Sequence, residues 1–296
     1  MADIFDFSAA SVAALAQADA QRAILEDVGA ADGAGDLTAG LIDPQRRARA
    51  RVLAREAAVI CGSPWAQSAL QQLDPSVHIN WCVEEGQLCE PDQVVLQMEG
   101  SARALLTAER TALNFLQLLS GVASKTHDYV RAVQEVQGAR AQIVDTRKTL
   151  PGLRLAQKYA VRTGGGTNHR IGLYDAVLIK ENHIAAAGGV TAVLKRVAQL
   201  APSASFVEIE VETLDQLQEA LAAGARMVLL DNMSLAQLCE AVHINAGRAI
   251  LEVSGGVNLT TVRAIAATGV DRISIGTLTK DVRAIDFSMR FASEVV

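Results

Sequence analysis

From Gln142 onward the chain alternates short apolar runs with helix-like segments, and no other feature restricts its fold as strongly. The runs are QIVDT, AVLIK, FVEIEV, MVLLD, ILEVS and RISIG. Each but the last leads into a segment with apolar residues at helical spacing: LRLAQKYAV, VTAVLKRVAQ, LDQLQEALAAG, SLAQLCEAV and LTTVRAIAATG. Strand then helix, repeated, predicts a parallel sheet with helical crossovers. The last units are compact enough for a barrel, yet six strands are visible where a complete barrel has eight. The expectation is an incomplete α/β (TIM-like) barrel, with a closed or open parallel sheet as the alternative.

The first half has a different texture. Residues 8–28 predict a helix ending near Gly29, followed by the Gly/Asp-rich loop GAADGAGDLT. Residues 48–54 and 57–61 read as short strands, PWAQSALQQL as a helix, and WCVEEGQLCEPDQVVLQMEG as strands with turns. Leu105, Leu106, Leu113, Leu116 and Leu119 recur at helical spacing and predict a long helix from about Ala102 to Val136, with Gly121 as a candidate break.

Charge is distributed unevenly. The net charge is −6, yet the window from Thr146 to Lys180 holds seven Lys/Arg against the single acid Asp175, which leaves −12 on the remainder. A nucleic-acid binder is usually basic overall. A local cationic focus in an acidic chain suits a small, highly charged anion in a cleft. The four cysteines (Cys61, Cys82, Cys89, Cys239) form neither a CxxC pair nor a zinc spacing and read as reduced core thiols. MADIFDF carries two acids where a signal peptide needs positive charge. No apolar run approaches the ~20 residues of a membrane span. The expectation is a soluble cytoplasmic protein.

The chemistry of an α/β barrel lies at the C-terminal ends of its strands. Those ends carry Arg147 and Lys148, Lys180, Glu210, Asp231, Ser254 with Gly255 and Gly256, then Gly276. In FVEIEVE, Glu208, Glu210 and Glu212 share one face and Val207, Ile209 and Val211 the other. In a barrel the apolar face meets the helices, so the glutamates point inward, where acids are costly unless paired or bound to a ligand. SGGVN before LTTVRAIAA combines backbone N–H groups with a helix N-terminus, a ready phosphate site. ISIGTLT offers a second. Together these ends suit a phosphosugar and an acidic partner.

Seven motifs in order carry a resemblance: EDVGAADGAGDLT, EGSARALLTAERTALNFLQLLSG, DTRKTLPGLRLAQKYAVRTGGGTNHRIGLYDAVLIKENH, VEIEVETLDQL, LLDNMS, LEVSGGVN and ISIGTLT. The chain resembles the quinolinate phosphoribosyltransferase family over nearly its whole length. The resemblance implies an N-terminal α/β sandwich domain over 1–120 with the hinge helix, an incomplete barrel over 121–280, and a tail, 281–296, returning to the first domain. It implies transfer of phosphoribose from 5-phosphoribosyl-1-pyrophosphate (PRPP) to quinolinate with decarboxylation, in NAD biosynthesis, with Mg2+ and no organic cofactor, by a homodimer. It implies a quinolinate pocket of Arg110, Arg147, Lys148, His169, Arg170 and Lys180, with Arg110 donated by the other subunit. Glu210 and Asp231 are implied to face the ribose and, indirectly, the metal. Ser254, Gly255, Gly256 and Gly276 are implied to hold the 5-phosphate end, and Lys148, Glu210 and Asp231 to be the catalytic set. A paralogous molybdenum-transport-associated protein shares much of the pattern and is the alternative.

Plainer readings accompany several of these residues. Arg154, Lys158 and Arg162 recur at helical spacing and read as a solvated helix face. Lys180 at a strand end also fits the Schiff-base lysine of an aldolase. His183 orders its own loop or joins the site, and His78, His127 and His243 read as structural. Asp145 is either a buried partner of a neighbour or a reactant. For Arg110 the bland alternative is an intrachain salt bridge with Glu109 or a nearby acid.

Overall fold

The structure is a computed structural model that describes residues 4–29, 35–200 and 204–292. The first three residues of MADIFDF, the middle of the Gly/Asp-rich loop and the end of the tail lie outside the described residues. The chain divides into two compact units.

One unit comprises 5–125, 155–164 and the tail from 281. Its helices are α1 (Ala9–Val28), α2 (Ser63–Leu73), the first two thirds of α3 (Ala102–Gln134) and nearly all of α4 (Arg154–Thr163). Its strands are β1 (Arg47–Ala54), β2 (Ala58–Val59), β3 (His78–Trp81), β4 (Leu88–Cys89), β5 (Val94–Ser101) and β12 (Phe287–Phe291). Four of them form an antiparallel sheet in the order β12-β1-β5-β3, so the tail closes an edge of the first unit's sheet. The run RARARVLA explains β1: Ala50, Val52 and Ala54 turn into the core while Arg47, Arg49 and Arg51 stay outside. That core contains Leu70, Leu96, Leu105, Leu116 and Phe287.

Three local expectations change here. Helix α3 runs through Gly121 unbroken, and a Cβ there would lie 2.3 Å from the Arg283 carbonyl oxygen. The glycine therefore admits the tail's backbone and does not end the helix. Lys158 is fully buried, so α4 does not present a wholly solvated charged face; Arg162 alone is exposed, with its guanidinium 5.1 Å from the centre of the Phe7 ring. Cys61 and Cys89 are buried, but Cys82 and Cys239 are exposed, and all four are free thiols.

The other unit comprises residue 4, 126–154 and 165–280. Its strands are β6 (Gln142–Val144), β7 (Val177–Ile179), β8 (Val207–Val211), β9 (Met227–Asp231), β10 (Ile250–Ser254) and β11 (Arg272–Ser274). They form one parallel sheet in the order β6-β11-β10-β9-β8-β7. An isolated parallel bridge, Val144 to Thr167, extends the β6 side. All six expected strands are present, and among the described residues β7 does not pair back to β6, so the α/β barrel is incomplete. Helices α5 (Glu181–Ala187), α6 (Val190–Leu200), α7 (Leu214–Ala222), α8 (Leu235–Asn245), α9 (Val262–Ala267) and the short α10 (Thr277–Lys280) follow the strands. Capping boxes start two of them, Thr213 with Gln216 on α7 and Ser234 with Gln237 on α8, which turns the chain sharply away from each strand end. Among the described residues no helix is long and apolar enough to cross a membrane.

Candidate active site

The C-terminal ends of the six parallel strands surround a cleft of about 460 Å3. Lys148, Lys180, Glu210, Asp231, Ser254, Gly255, Gly256 and Gly276 all line it. The register explains why these residues converge. Glu210 stands opposite Leu229, and Asp231 opposite Ser254, so each side chain reaches the same face from a neighbouring strand. Lys180 Nζ lies 3.0 Å from Glu210 Oε2. The Asp231 carboxylate accepts a hydrogen bond from the Asn232 side chain at 2.7 Å. Lys148 is steadied from both sides: its N–H donates to Thr146 Oγ1 at 3.1 Å, and its carbonyl accepts from Thr279 Oγ1 at 2.8 Å.

The SGG turn is shaped by its backbone. Gly255 and Gly256 have φ of +103° and +60°, and a Cβ on Gly255 would stand 2.1 Å from Asn232 Oδ1. A side chain at Gly255 is therefore excluded on two grounds, backbone conformation and contact. This leaves main-chain atoms facing the cleft beside Ser254.

Arg147, His169 and Arg170 do not line this cleft. Arg170 is lowered in proton affinity, first by burial and then by the like charge of Arg147. Arg154 holds the loops that carry them. It donates to the carbonyls of Arg147 at 3.5 Å and Ile171 at 3.2 Å and to Thr149 Oγ1 at 3.1 Å. Its role is thus structural support, which charge spacing along a helix does not disclose. Asp145 is fully buried and accepts from Asn168 Nδ2 at 2.7 Å and from the His169 N–H at 2.8 Å, which ties β6 to the Thr167 segment. His183 Nδ1 accepts the Lys180 N–H at 2.9 Å and so orders its loop. Arg110 is exposed on α3 and forms no ion pair among the described residues.

One group escaped the sequence reading. Glu252, Arg272 and Ser274 join Glu208 and His169 in a buried layer inside the barrel. The signal was present: ILEVS alternates as VEIEV does, so Glu252 faces inward when Leu251 and Val253 face the helices. Burial raises both carboxyls, Glu208 and Glu252, from 4.5 to about 7. A carboxyl raised in the folded chain keeps its proton there after the unfolded chain has ionised. Stability from these groups is therefore full below about pH 4.5 and is lost as pH rises through about 7. Glu252→Gln removes one such group. Its melting temperature relative to wild type should rise across that window, by the equivalent of about 1–3 kcal/mol. Thermal unfolding of both proteins as a pH series checks this, and a constant offset would contradict it.

Comparison with known proteins follows the same outline. Residues 36–120 match the profile of the quinolinate phosphoribosyl transferase N-terminal domain, and residues 122–290 that of its C-terminal domain. A probable nicotinate-nucleotide pyrophosphorylase (carboxylating) of Bacillus subtilis (strain 168) is 39% identical over 265 residues, spanning 90% of this chain and 89% of the relative. A mitochondrial quinolinate phosphoribosyltransferase (decarboxylating) of Nicotiana glauca is 37% identical over 294 residues, spanning 93% and 82%. The solved nicotinate-nucleotide pyrophosphorylase of Francisella tularensis matches with a TM-score of 0.90 and 40% identity, over 99% of this chain and 100% of that one. The chain belongs to the quinolinate phosphoribosyltransferase family.

Proposed function

We propose that this protein transfers phosphoribose from PRPP to the ring nitrogen of quinolinate and releases CO2, giving nicotinate mononucleotide and pyrophosphate for NAD synthesis. One observation carries the reading: Lys148 and Lys180 share a single cleft with Glu210, Asp231 and the SGG turn. Arg147 and Arg170 add two like charges that act on one another. Quinolinate is a pyridine with two adjacent carboxylates, so it needs several cations to replace its water. Arginine supplies bidentate donors and lysine a compact charge.

The sugar side follows from the carboxylates. Attack of the ring nitrogen on the anomeric carbon expels pyrophosphate through an oxocarbenium-like state, which Glu210 and Asp231 stabilise or orient through the ribose hydroxyls. The alkylated ring is cationic. It takes up the electron pair when the neighbouring carboxylate leaves as CO2, and a proton then fills that position. No organic cofactor is required. Glu210 and Asp231, hard oxygen donors on neighbouring strands, fit a Mg2+ shared with substrate phosphates, since this ion is commonly held by one or two carboxylates plus phosphate oxygens. When bound, Mg2+ offsets charge on the leaving pyrophosphate.

The aldolase reading is disfavoured. The Lys180 side chain is 47% exposed and paired with Glu210, whereas a Schiff-base lysine is typically activated in a desolvated, apolar pocket or beside another cation. The transport-associated paralogue predicts anion binding without turnover. Incubating purified protein with PRPP, Mg2+ and quinolinate should yield nicotinate mononucleotide. Nicotinic acid, lacking the second carboxylate, should be a poor substrate because part of the cation cluster stays unpaired. Comparable efficiency on both acids would remove the dianion receptor.

Arg110 completes the pocket of a partner subunit in this reading, so each site is built from two chains. Its exposed place on α3 is compatible with that role. Arg110→Ala and Lys148→Ala should each be inactive. Mixed with subunit exchange, half of the dimers become heterodimers with one intact site, and activity should return to roughly a quarter of wild type. No recovery after demonstrated exchange would place Arg110 outside the partner's site.

A further inference from the structure

Beneath the cleft, the barrel interior is polar where apolar side chains would be expected. Glu208 on β8 and Glu252 on β10 are fully buried, and His169 is 7% exposed. His169 Nε2 lies 2.8 Å from Glu208 Oε2 and 3.6 Å from Glu252 Oε1. Arg272 Nε on β11 lies 2.8 Å from Glu252 Oε2, and Ser274 Oγ donates to Glu252 Oε1. The register neighbour of Glu208 on β7 is Leu178, and that of Glu252 on β9 is Leu229.

The other ring nitrogen is also engaged. His169 Nδ1 accepts the N–H of Arg170 at 2.7 Å, while the His169 N–H donates to Asp145 Oδ1 at 2.8 Å. An imidazole that accepts at Nδ1 carries its proton at Nε2, which then donates to Glu208. Phe206 packs edge-on against the ring at 5.4 Å and limits its rotation. His169 is thus clamped on three sides, and its clamp ends on the main chain of Arg170. The layer also meets the cleft directly, because Ser274 lines the cleft and bonds Glu252 below it.

We propose that Glu208 and Glu252 are positioning residues: through the Nε2 proton of His169 they fix the Arg170 segment that receives the dicarboxylate substrate. The inference rests on the assignment of Arg170 to quinolinate. Glu208 is the direct contact, while Glu252, fastened by Arg272 and Ser274, backs the same proton. A cation held by His169, Glu208 and Glu252 is the competing use of this cluster, since their ligand atoms lie within 4.8 Å of one another. The Arg272 guanidinium already supplies positive charge there, and the His169 ring already engages Glu208 Oε2.

The test compares Glu208→Gln, which keeps an acceptor for the Nε2 proton, with Glu208→Leu, which does not. Glu208→Leu should raise the KM for quinolinate about tenfold or more, with the KM for PRPP within about twofold of wild type, and Glu208→Gln should stay near wild type. A folded Glu208→Leu protein with wild-type KM for quinolinate, or one that loses both substrates equally, overturns the proposal. A readout independent of turnover is the 15N spectrum of the wild-type histidine rings, with His169 assigned by its loss in His169→Gln. A neutral ring protonated at Nε2 is expected, and a ring protonated at Nδ1 overturns the proposal even if Glu208→Leu fails to fold. Absence of turnover in the wild type would instead defeat the functional reading and leave the ring result standing.

Discussion

Lys148→Ala and Arg147→Ala should each leave a folded protein whose affinity for quinolinate is severely reduced. Both residues follow β6, Lys148 lining the cleft and Arg147 beside it in sequence, and neither belongs to a hydrophobic core. The backbone around Lys148 is held by Thr146 and Thr279, and Arg154 holds the Arg147 carbonyl, so truncating either side chain spares the loop. Losing one charge-assisted contact to a buried carboxylate costs about 2–5 kcal/mol, which corresponds to roughly 30-fold to several-thousand-fold in affinity. The melting temperature and the KM for quinolinate, measured on each variant, check the two halves of this expectation. Near-normal quinolinate affinity in a folded variant would remove that residue from the pocket.

Glu210→Ala and Asp231→Ala should act on turnover more than on quinolinate binding. The two carboxylates line the cleft from neighbouring strands β8 and β9, together with the SGG turn. A group that stabilises developing positive charge on the sugar works chiefly in the transition state, so its loss lowers kcat and kcat/KM together. A fall of about 100- to 1000-fold is expected for a preorganised electrostatic contact of this kind. Glu210→Ala also frees Lys180 from its partner at 3.0 Å, so Glu210→Gln is the cleaner variant. Wild-type turnover at saturating substrates in both would show that these carboxylates do not face the ribose.

Much of this was legible along the chain because parallel strands buried on both faces leave dense apolar runs. All six of those runs became strands of one sheet, and the residues at their ends, Arg147 excepted, line one cleft as barrel topology requires. Alternation in FVEIEVE separated inward Glu208 and Glu210 from outward Ile209 and Val211. What stayed hidden depends on partners far away in sequence. Helical spacing put Lys158 on one face of α4 but gave no sign of the segment that buries it. Gly121 looked like a helix break because the backbone near Arg283 that presses on it comes more than a hundred residues later. Residues 155–164 belong with the first compact unit, an assignment that likewise depends on partners distant in sequence. Glu252 and Arg272 needed only the alternation rule, applied to ILEVS and RISIG as it had been to VEIEV.

Stoichiometry tests the central claim most directly. Quinolinate labelled in the carboxyl group next to the ring nitrogen can be incubated with the purified protein, PRPP and Mg2+. Labelled CO2, nicotinate mononucleotide and pyrophosphate are counted together. The structure predicts that the three appear in equal amounts, and that omitting PRPP abolishes CO2 release, because only an alkylated ring nitrogen accepts the electron pair. CO2 released without PRPP, or quinolinate bound and never converted, would contradict the account.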